Sequence, residues 1–146
     1  PAMLHGLAER LNRIETLLIR HFWPGPLTIL FRADPDLPSY ITAGTSHVAV
    51  RVPGKSFAFD LTLSLPFPVT ATSANISGMP AAAAPDEVRR YFIDGPDLMI
   101  DAGETAGGLS STIVTVKKNS VVIVRQGAVA RERISVVLRS AGYDLK

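Results

Sequence analysis

The chain has 146 residues, 47% of them hydrophobic, which predicts one domain with a substantial core over residues 1–146. It contains no cysteine, which excludes disulfides, thiolate catalysis and cysteine-built zinc sites. No apolar run approaches the roughly 18 residues that span a membrane, so we expect a soluble, unexported chain. A formal charge of +2 argues against nucleic-acid binding through a large basic surface.

A helix followed by a strand is predicted at the start of the chain. Apolar residues recur every three or four positions from Leu4 to Phe22, which is the pattern of an amphipathic helix packed on a core. The helix should stop at Trp23-Pro24-Gly25-Pro26, because two prolines and a glycine prevent its continuation. Leu27–Phe31 then predicts a strand. Trp23 is interpreted as a packing anchor, with a ligand-stacking platform as the alternative.

The next predicted strand ends in an arginine. His47–Val52 is predicted as a strand, and three consecutive apolar residues within it indicate burial on both faces. Arg51 lies near its end and needs a partner for its charge. That partner is either an internal carboxylate or the carboxylate or phosphate of a substrate, and the residues alone leave both open. Phe57–Leu65 then predicts a short helix.

The segment Val69–Gly78 combines a β-prone run with loop residues. Val69–Thr72 suits a buried strand, whereas the Ser73, Asn75 and Ser77 side chains that follow suit turns able to hold an anion or a polar ligand. We therefore interpret the segment as a strand that runs into a binding loop. The alternative is an ordinary Asx or Ser turn, which local sequence alone favours because such clusters are the commonest loop material.

Beyond this loop, Pro85 and the acidic residues after it predict the start of a helix that ends by Gly95. Leu98–Asp101 predicts a short strand. The adjacent Gly107 and Gly108 allow backbone to approach a ligand closely, which suggests a phosphate cradle. No Gly-Lys-Ser/Thr follows them, so a Walker A loop is excluded and the glycine pair alone is weak evidence.

The last part of the chain predicts a hairpin and a helix. Thr112–Val116 and Val121–Arg125 are β-branched runs on either side of a charged turn, as in an antiparallel hairpin. Arg131–Ala141 carries apolar residues at helical spacing and precedes Gly142, a natural helix stop. Interleaved helices and strands with one antiparallel hairpin predict an α/β domain with a twisted mixed sheet and flanking helices. The three histidines lack metal-site spacing, so no metal site is predicted.

Five runs of the chain, in this order and spacing, match the motifs of one family. They are His21-Phe22-Trp23-Pro24-Gly25-Pro26-Leu27-Thr28-Ile29-Leu30, Val48-Ala49-Val50-Arg51-Val52-Pro53, Val69-Thr70-Ala71-Thr72-Ser73-Ala74-Asn75-Ile76-Ser77-Gly78, Ser110-Ser111-Thr112-Ile113-Val114 and Val124-Arg125-Gln126-Gly127-Ala128. The chain thereby resembles the YrdC/TsaC family of threonylcarbamoyl-AMP synthases from about Arg20 to Val129. The resemblance implies a YrdC-like α/β domain whose twisted mixed sheet lines a concave, positively charged ligand cavity.

The resemblance also implies an activity. Enzymes of this family are nucleotidyltransferases that make threonylcarbamoyl-AMP from L-threonine, bicarbonate and ATP, with release of pyrophosphate. The product supplies the threonylcarbamoyl group of the tRNA adenosine beside the anticodon. Because this chemistry needs positioning and cations rather than a nucleophilic side chain, no catalytic nucleophile or base is assigned. Mg²⁺ is expected with ATP, held chiefly by phosphate oxygens and water.

Ligand-contacting residues and partners follow from the same resemblance. The implied nucleotide-binding residues are Ser73, Asn75, Arg125 and His47, of which the first two form the family's Ser-x-Asn element. The implied threonine-binding residues are Arg51, which takes the carboxylate, Ala71 and Ser111. Relatives often have threonine where this chain has His47. The implied partners are the small-molecule substrates and, downstream, other tRNA-modification proteins. The implied location is the cytoplasm, with no membrane contact. Direct contact with tRNA is left open.

The chain departs from the family in one respect. The family's N-terminal third carries a Lys-x-Arg element and threonine-contacting residues, and residues 1–146 contain no counterpart. We therefore expect a fragment of a longer protein, with these residues alone insufficient for turnover. Two alternatives stay open. One is the related domain of hydrogenase-maturation carbamoyltransferases, which makes a carbamoyl adenylate, and the other is a non-catalytic RNA-binding module.

Overall fold

The computed structural model describes residues 2–105 and 108–146. They fall into two compact units. The first, called the sheet unit, comprises the chain up to Pro68 together with Leu109–Lys146, and the second, called the loop unit, is Val69–Gly108. The single domain over residues 1–146 stays a prediction. Within the described residues, no helix combines the length and the apolar character needed to cross a membrane.

Four α-helices and five strands make up the described secondary structure. The helices are α1 (Arg13–Phe22), α2 (Phe57–Ser64), α3 (Pro85–Tyr91) and α4 (Arg131–Ser140), and a short 3₁₀ turn occupies Ala2–Leu4. The strands are β1 (Leu27–Arg32), β2 (His47–Val50), β3 (Thr112–Lys117), β4 (Ser120–Arg125) and β5 (Asp144–Leu145). The helices predicted at α2, α3 and α4 and the strand predicted at β1 are confirmed.

The strands form one mixed sheet in the order β2-β1-β3-β4-β5. β1 pairs antiparallel with β2 and parallel with β3, and β3 and β4 form an antiparallel hairpin. β4 pairs parallel with the short β5, which the sequence does not predict. The predicted α/β class, mixed sheet and hairpin are therefore confirmed, and the concave basic cavity stays a prediction.

One face of the sheet carries the hydrophobic core. Leu27, Ile29 and Phe31 alternate along β1 and are at most 1% exposed, and Val114 and Val121 are fully buried in the same cluster. This period of two follows from the pleat, which turns every second side chain to the same face. The helices α1 and α4 add the buried residues Ile14, Leu18, Ile134 and Leu138.

The helix α1 begins later than predicted because Asn12 caps it. Asn12 Oδ1 accepts from the backbone N–H groups of Ile14 and Glu15, both at 2.9 Å, and Glu15 Oε2 accepts from the Asn12 N–H at 2.8 Å. This capping box satisfies donors that a first helical turn leaves free. The predicted helix is therefore wrong from Leu4 to Asn12. Burial raises the pKa of the Glu15 carboxyl, and the hydrogen bond from Asn12 opposes that rise.

Trp23 fixes the corner between α1 and β1. Its Nε1 donates to the Leu27 carbonyl oxygen at 2.7 Å, and its ring packs edge-on against Phe31 with centroids 6.1 Å apart. The Trp23–Pro24 peptide bond is cis. Both contacts join the corner to the buried strand β1, so Trp23 is the packing anchor that the sequence predicts.

The strand β2 differs from its prediction in length and burial. It runs from His47 to Val50 rather than to Val52, and it lies at an edge of the sheet. Val48 is buried, whereas His47 and Ala49 are exposed. The predicted burial on both faces is wrong, because an edge strand with one solvated face buries only alternate residues.

The loop unit contains α3 and, among its described residues, no strand. The strands predicted at Val69–Thr72 and Leu98–Asp101 are therefore wrong. The side chains of Val69 and Leu98 are 48% and 78% exposed. Residues with high β propensity form a strand only where a neighbouring strand pairs with them and one face is buried. Gly107 of the predicted phosphate cradle lies outside the described residues.

Candidate ligand-binding site

Three residues predicted to contact ligands lie along one edge of the sheet, meaning here the side at which the strands begin or end. β1 and β3 are parallel and begin at this edge, while β2 and β4 run the opposite way and end there. Arg51 directly follows β2, Ser111 directly precedes β3, and Arg125 is the last residue of β4. The strand directions, rather than proximity in the sequence, therefore gather these residues at one end of the sheet.

A hydroxyl–arginine cluster, formed by Thr28, Ser111 and Arg125, lies at this edge. Thr28 Oγ1 and Ser111 Oγ are 2.8 Å apart. Arg125 Nη2 donates to the Ser111 carbonyl oxygen at 2.9 Å and lies 3.4 Å from Ser111 Oγ. Thr28 is buried, Ser111 is half-buried and Arg125 is exposed. The cluster therefore runs from the protein interior out to solvent.

Thr28 is a member of the cluster that the sequence does not predict as a site residue. It alternates with Leu27 and Ile29, whose side chains lie in the core, so the pleat turns Thr28 to the opposite face of the sheet. One hydroxyl within the otherwise apolar run Leu27–Phe31 is the signal that identifies it. Its partner Ser111 is 83 positions away, and only the parallel pairing of β1 with β3 brings the two together.

A buried hydroxyl, that of Thr112, holds the cluster in place. Thr112 Oγ1 donates to the Val129 carbonyl oxygen at 2.7 Å and accepts from the N–H groups of Gly127 and Val129 at 2.9 and 3.0 Å. Gly127 packs so closely that a Cβ there would lie 2.1 Å from the Ser110 carbonyl oxygen. The chain after β4 is thereby fastened to the start of β3, which fixes the strand ends that carry the cluster.

The arginines at this edge form no ion pair within the described chain. The described ion pairs, on partly exposed side chains, are Arg32–Glu9 at 2.9 Å and Arg89–Asp86 at 2.6 Å. Arg51 is exposed, and among residues 2–105 and 108–146 its side chain has no hydrogen-bond partner. Those residues therefore supply no internal carboxylate for Arg51, and its guanidinium is available to an anion.

The Ser-x-Asn element lies in the loop unit and is held by bonds within its own turn. The Ser73 hydroxyl donates to the Asn75 side-chain oxygen. Asn75 Nδ2 donates to the carbonyl oxygens of Ile76 and Met79 at 3.0 and 2.7 Å. Ala74 between them has φ of 51°, in the left-handed region. These contacts all lie within one turn, as the alternative of an ordinary turn also expects, and the nucleotide-binding role stays a prediction.

Ala71 and His47 complete the predicted site residues. Ala71 is an exposed residue of the loop unit. His47 begins β2 opposite Arg32, at the far end of the strand from Arg51. The extended chain between His47 and Arg51 spans about 13 Å, so the structure does not bring His47 into the hydroxyl–arginine cluster. His47 instead lines a polar cavity of about 300 Å³, together with residues that include Glu9, Arg10, Asn12 and Glu15.

Comparison with known proteins adds an independent observation. The Sua5/YciO/YrdC family model, described as telomere recombination, matches residues 1–127. A threonylcarbamoyl-AMP synthase of Pyrococcus abyssi is 35% identical over 135 residues, which are 92% of this chain and 40% of that protein. A threonylcarbamoyl-AMP synthase of Bacillus subtilis is 34% identical over 129 residues, 87% of this chain and 37% of that protein. The chain thus spans about two fifths of the length of these curated relatives.

Solved structures agree on the fold. The crystal structure of Pyrococcus abyssi Sua5 complexed with L-threonine is similar with a TM-score of 0.85 at 32% identity, over 99% of this chain and 42% of that one. Escherichia coli YciO, at 21% identity, gives a TM-score of 0.74 over 88% of this chain and 63% of that one. The second likeness shows the fold alone.

Proposed function

The chain belongs to the Sua5/YciO/YrdC family, as its motifs predict, and from this premise we propose that the protein synthesises threonylcarbamoyl-AMP. The substrates are L-threonine, bicarbonate and ATP, and the second product is pyrophosphate. The threonylcarbamoyl group is destined for the tRNA adenosine beside the anticodon. The two relatives that are themselves threonylcarbamoyl-AMP synthases support this assignment.

The observation that carries the proposal is the location of Arg51, Ser111 and Arg125 at the strand ends along one edge of the sheet. Guanidinium groups suit an amino-acid carboxylate and a phosphate, because they form charge-assisted and often bidentate bonds with both. The threonine complex of the Pyrococcus abyssi relative supports L-threonine as the amino acid. Arg51 takes the threonine carboxylate, Ser111 lies beside the substrate, and Arg125 faces the ATP phosphates or ribose.

The proposed reaction depends mainly on position and charge. Joining the threonine nitrogen to the carbon of bicarbonate forms an N–C bond and releases water. A carboxylate oxygen of the resulting carbamate then attacks the α-phosphorus of ATP, and the bond to the leaving pyrophosphate breaks. Arginines that hold the threonine carboxylate and the ATP phosphates at a fixed separation lower the activation barrier, because they orient the reactants and disperse negative charge. No covalent enzyme intermediate forms.

The remaining assignments depend on the family motif. We propose nucleotide contact for Ser73 and Asn75 and threonine contact for Ala71, whereas His47, at the far end of β2, has the least geometric support. Mg²⁺ would enter with ATP and would help to neutralise the charge of the phosphates, held chiefly by phosphate oxygens and water. Within the described chain, no group of three or more histidine or acidic side chains is placed to hold a metal ion by itself. A metal carried by the nucleotide fits these residues.

The proposed product also defines the partners. Transfer of the threonylcarbamoyl group to tRNA is a separate acyl transfer, so other tRNA-modification proteins act downstream. Direct contact with tRNA, through exposed arginines that neutralise phosphates, is part of the proposal. We propose the cytoplasm as the location, where these substrates meet.

Pyrophosphate release by the intact protein tests the proposed function. We expect release that requires ATP, L-threonine and bicarbonate together, with a product of the mass of threonylcarbamoyl-AMP. L-valine, which replaces the substrate hydroxyl by a methyl group, is the matched control substrate. Pyrophosphate release that does not depend on threonine would contradict the proposal. Pyrophosphate release that requires carbamoyl phosphate would identify the carbamoyl-adenylate alternative. RNA binding with a steep salt dependence and no response to ATP or threonine would identify a binding module.

A further inference from the structure

Thr28, for which the family resemblance implies no ligand contact, touches the Ser111 hydroxyl through its own Oγ1. We propose that Thr28 is a positioning residue, which directs the Ser111 hydroxyl proton outward as a hydrogen-bond donor to an oxygen of the amino-acid substrate. The inference rests on the proposed function, because it takes L-threonine as the ligand of Ser111. Thr28 itself does not touch the substrate in this arrangement.

Burial is the first step of the argument. Thr28 is 8% exposed, and its hydroxyl has one hydrogen-bond partner within the described chain, the Ser111 hydroxyl. A buried hydroxyl that lacks any acceptor loses free energy, so Thr28 donates its proton to the one acceptor within reach. Ser111 Oγ therefore accepts from Thr28 at 2.8 Å.

The second step follows from the inventory of a hydroxyl group, which has one donor and two acceptor positions. Arg125 Nη2 lies 3.4 Å from Ser111 Oγ and can act only as a donor, so it occupies the second acceptor position. With both acceptor positions filled, the Ser111 proton remains free. Ser111 is half-buried, so part of the residue reaches solvent, and in this proposal its free proton points there, toward a ligand oxygen.

The variant Thr28→Val tests this role because it keeps the shape of the side chain and removes the hydroxyl. Titration calorimetry of the intact protein with L-threonine should show affinity reduced about tenfold, the size expected for one lost hydrogen bond. Thr28→Ser keeps the hydroxyl and should stay within about threefold of the unchanged protein. Thr28→Ala provides a second hydroxyl-free variant if Thr28→Val does not fold.

Thr115→Val is the matched control. Thr115 is 7% exposed, on the same face of the sheet, and its hydroxyl bonds to the Leu30 carbonyl oxygen at 3.4 Å rather than to Ser111. It makes the same chemical change at the same depth, so threonine affinity should be unchanged. A loss of affinity equal to that of Thr28→Val would overturn the proposal.

A double-mutant cycle with Ser111→Ala separates positioning from general destabilisation. If Thr28 acts through Ser111, the hydroxyl-free Thr28 variant should cause no further loss of threonine affinity in the Ser111→Ala background. An undiminished loss in that background would overturn the inference and leave the proposed function intact. Failure of the unchanged protein to bind threonine would instead overturn the proposed function, and the inference with it.

Discussion

The hydroxyl–arginine cluster of the sheet unit and the Ser-x-Asn element of the loop unit hold their polar side chains in different ways. In the hydroxyl–arginine cluster of the sheet unit the bonds join distant parts of the chain, since the hydroxyls of Thr28 and Ser111 are 83 positions apart. In the loop unit the side-chain bonds of Ser73 and Asn75 reach at most four positions along the chain. Residues of the first kind are positioned by the whole fold, and residues of the second kind by one turn. A substitution should therefore change stability and binding together in the hydroxyl–arginine cluster and the residues that hold it, and binding alone in the Ser-x-Asn element.

The largest loss of stability is expected at Gly127, which is packed far more tightly than a glycine with open space around it. In Gly127→Ala the new Cβ would meet the Ser110 carbonyl oxygen at 2.1 Å, and the backbone must move to admit it. We expect the free energy of unfolding to fall by about 3 kcal/mol, measured by urea denaturation. Gly54→Ala is the control, because a Cβ there has nothing within 4 Å and should cost no more than about 0.5 kcal/mol. Equal costs would show that the turn after β4 is not tightly constrained.

Thr112 should give the next largest effect. Thr112→Val leaves the buried N–H groups of Gly127 and Val129 without the hydroxyl oxygen that now accepts from them. We expect a loss of about 2 kcal/mol in unfolding free energy, while Thr112→Ser, which keeps the hydroxyl, should recover most of it. Thermal and urea denaturation of both variants check this. A serine variant as unstable as the valine variant would mean that the methyl group, and not the hydroxyl, is what matters.

The loop unit should respond in the opposite way. In Ser73→Ala combined with Asn75→Ala, only bonds within one turn are lost, so the melting temperature should fall by a few degrees at most, or about 1 kcal/mol. Under the proposed function, threonine-dependent pyrophosphate release should nevertheless fall. Ile93→Ala, which shortens a side chain of the same unit at a residue that is 95% exposed, is the control and should leave both measurements unchanged. Unfolding of the double variant would assign these residues to structure and break the comparison.

The smallest effect is expected at Glu15, whose bond is as local as those of the loop unit but is buried. Its pKa is raised above the ordinary 4.5, so the folded protein holds this proton more tightly than the unfolded chain does. That stabilisation is present below the unfolded-state pKa and is lost as pH rises through the folded-state pKa. Glu15→Gln keeps an acceptor for Asn12 and stays neutral. Its stability relative to the unchanged protein should therefore rise as the pH increases above the ordinary pKa of 4.5, and a constant difference in urea denaturation would contradict this.

Much of the sheet unit follows from local sequence, because helical and strand periods reflect one buried face. The hairpin, α4 and the arginine that ends β4 are predictable in this way. The partnership of Thr28 with Ser111 is not, since it depends on a parallel pairing between strands far apart in the chain. The error at Val69–Thr72 also comes from strand pairing. β propensity is a property of single residues, whereas a strand requires a neighbouring strand to pair with.

Titration of the intact protein with L-threonine tests the central claim, that the sheet edge binds the amino-acid substrate. Arg51→Ala should weaken threonine binding by about 2 kcal/mol, or roughly thirtyfold, because a charge-assisted bond to the carboxylate is lost. Arg139→Ala, which removes an exposed arginine from the last turn of α4, is the matched control and should bind as the unchanged protein does. Unchanged threonine affinity in a folded Arg51→Ala variant would contradict the account.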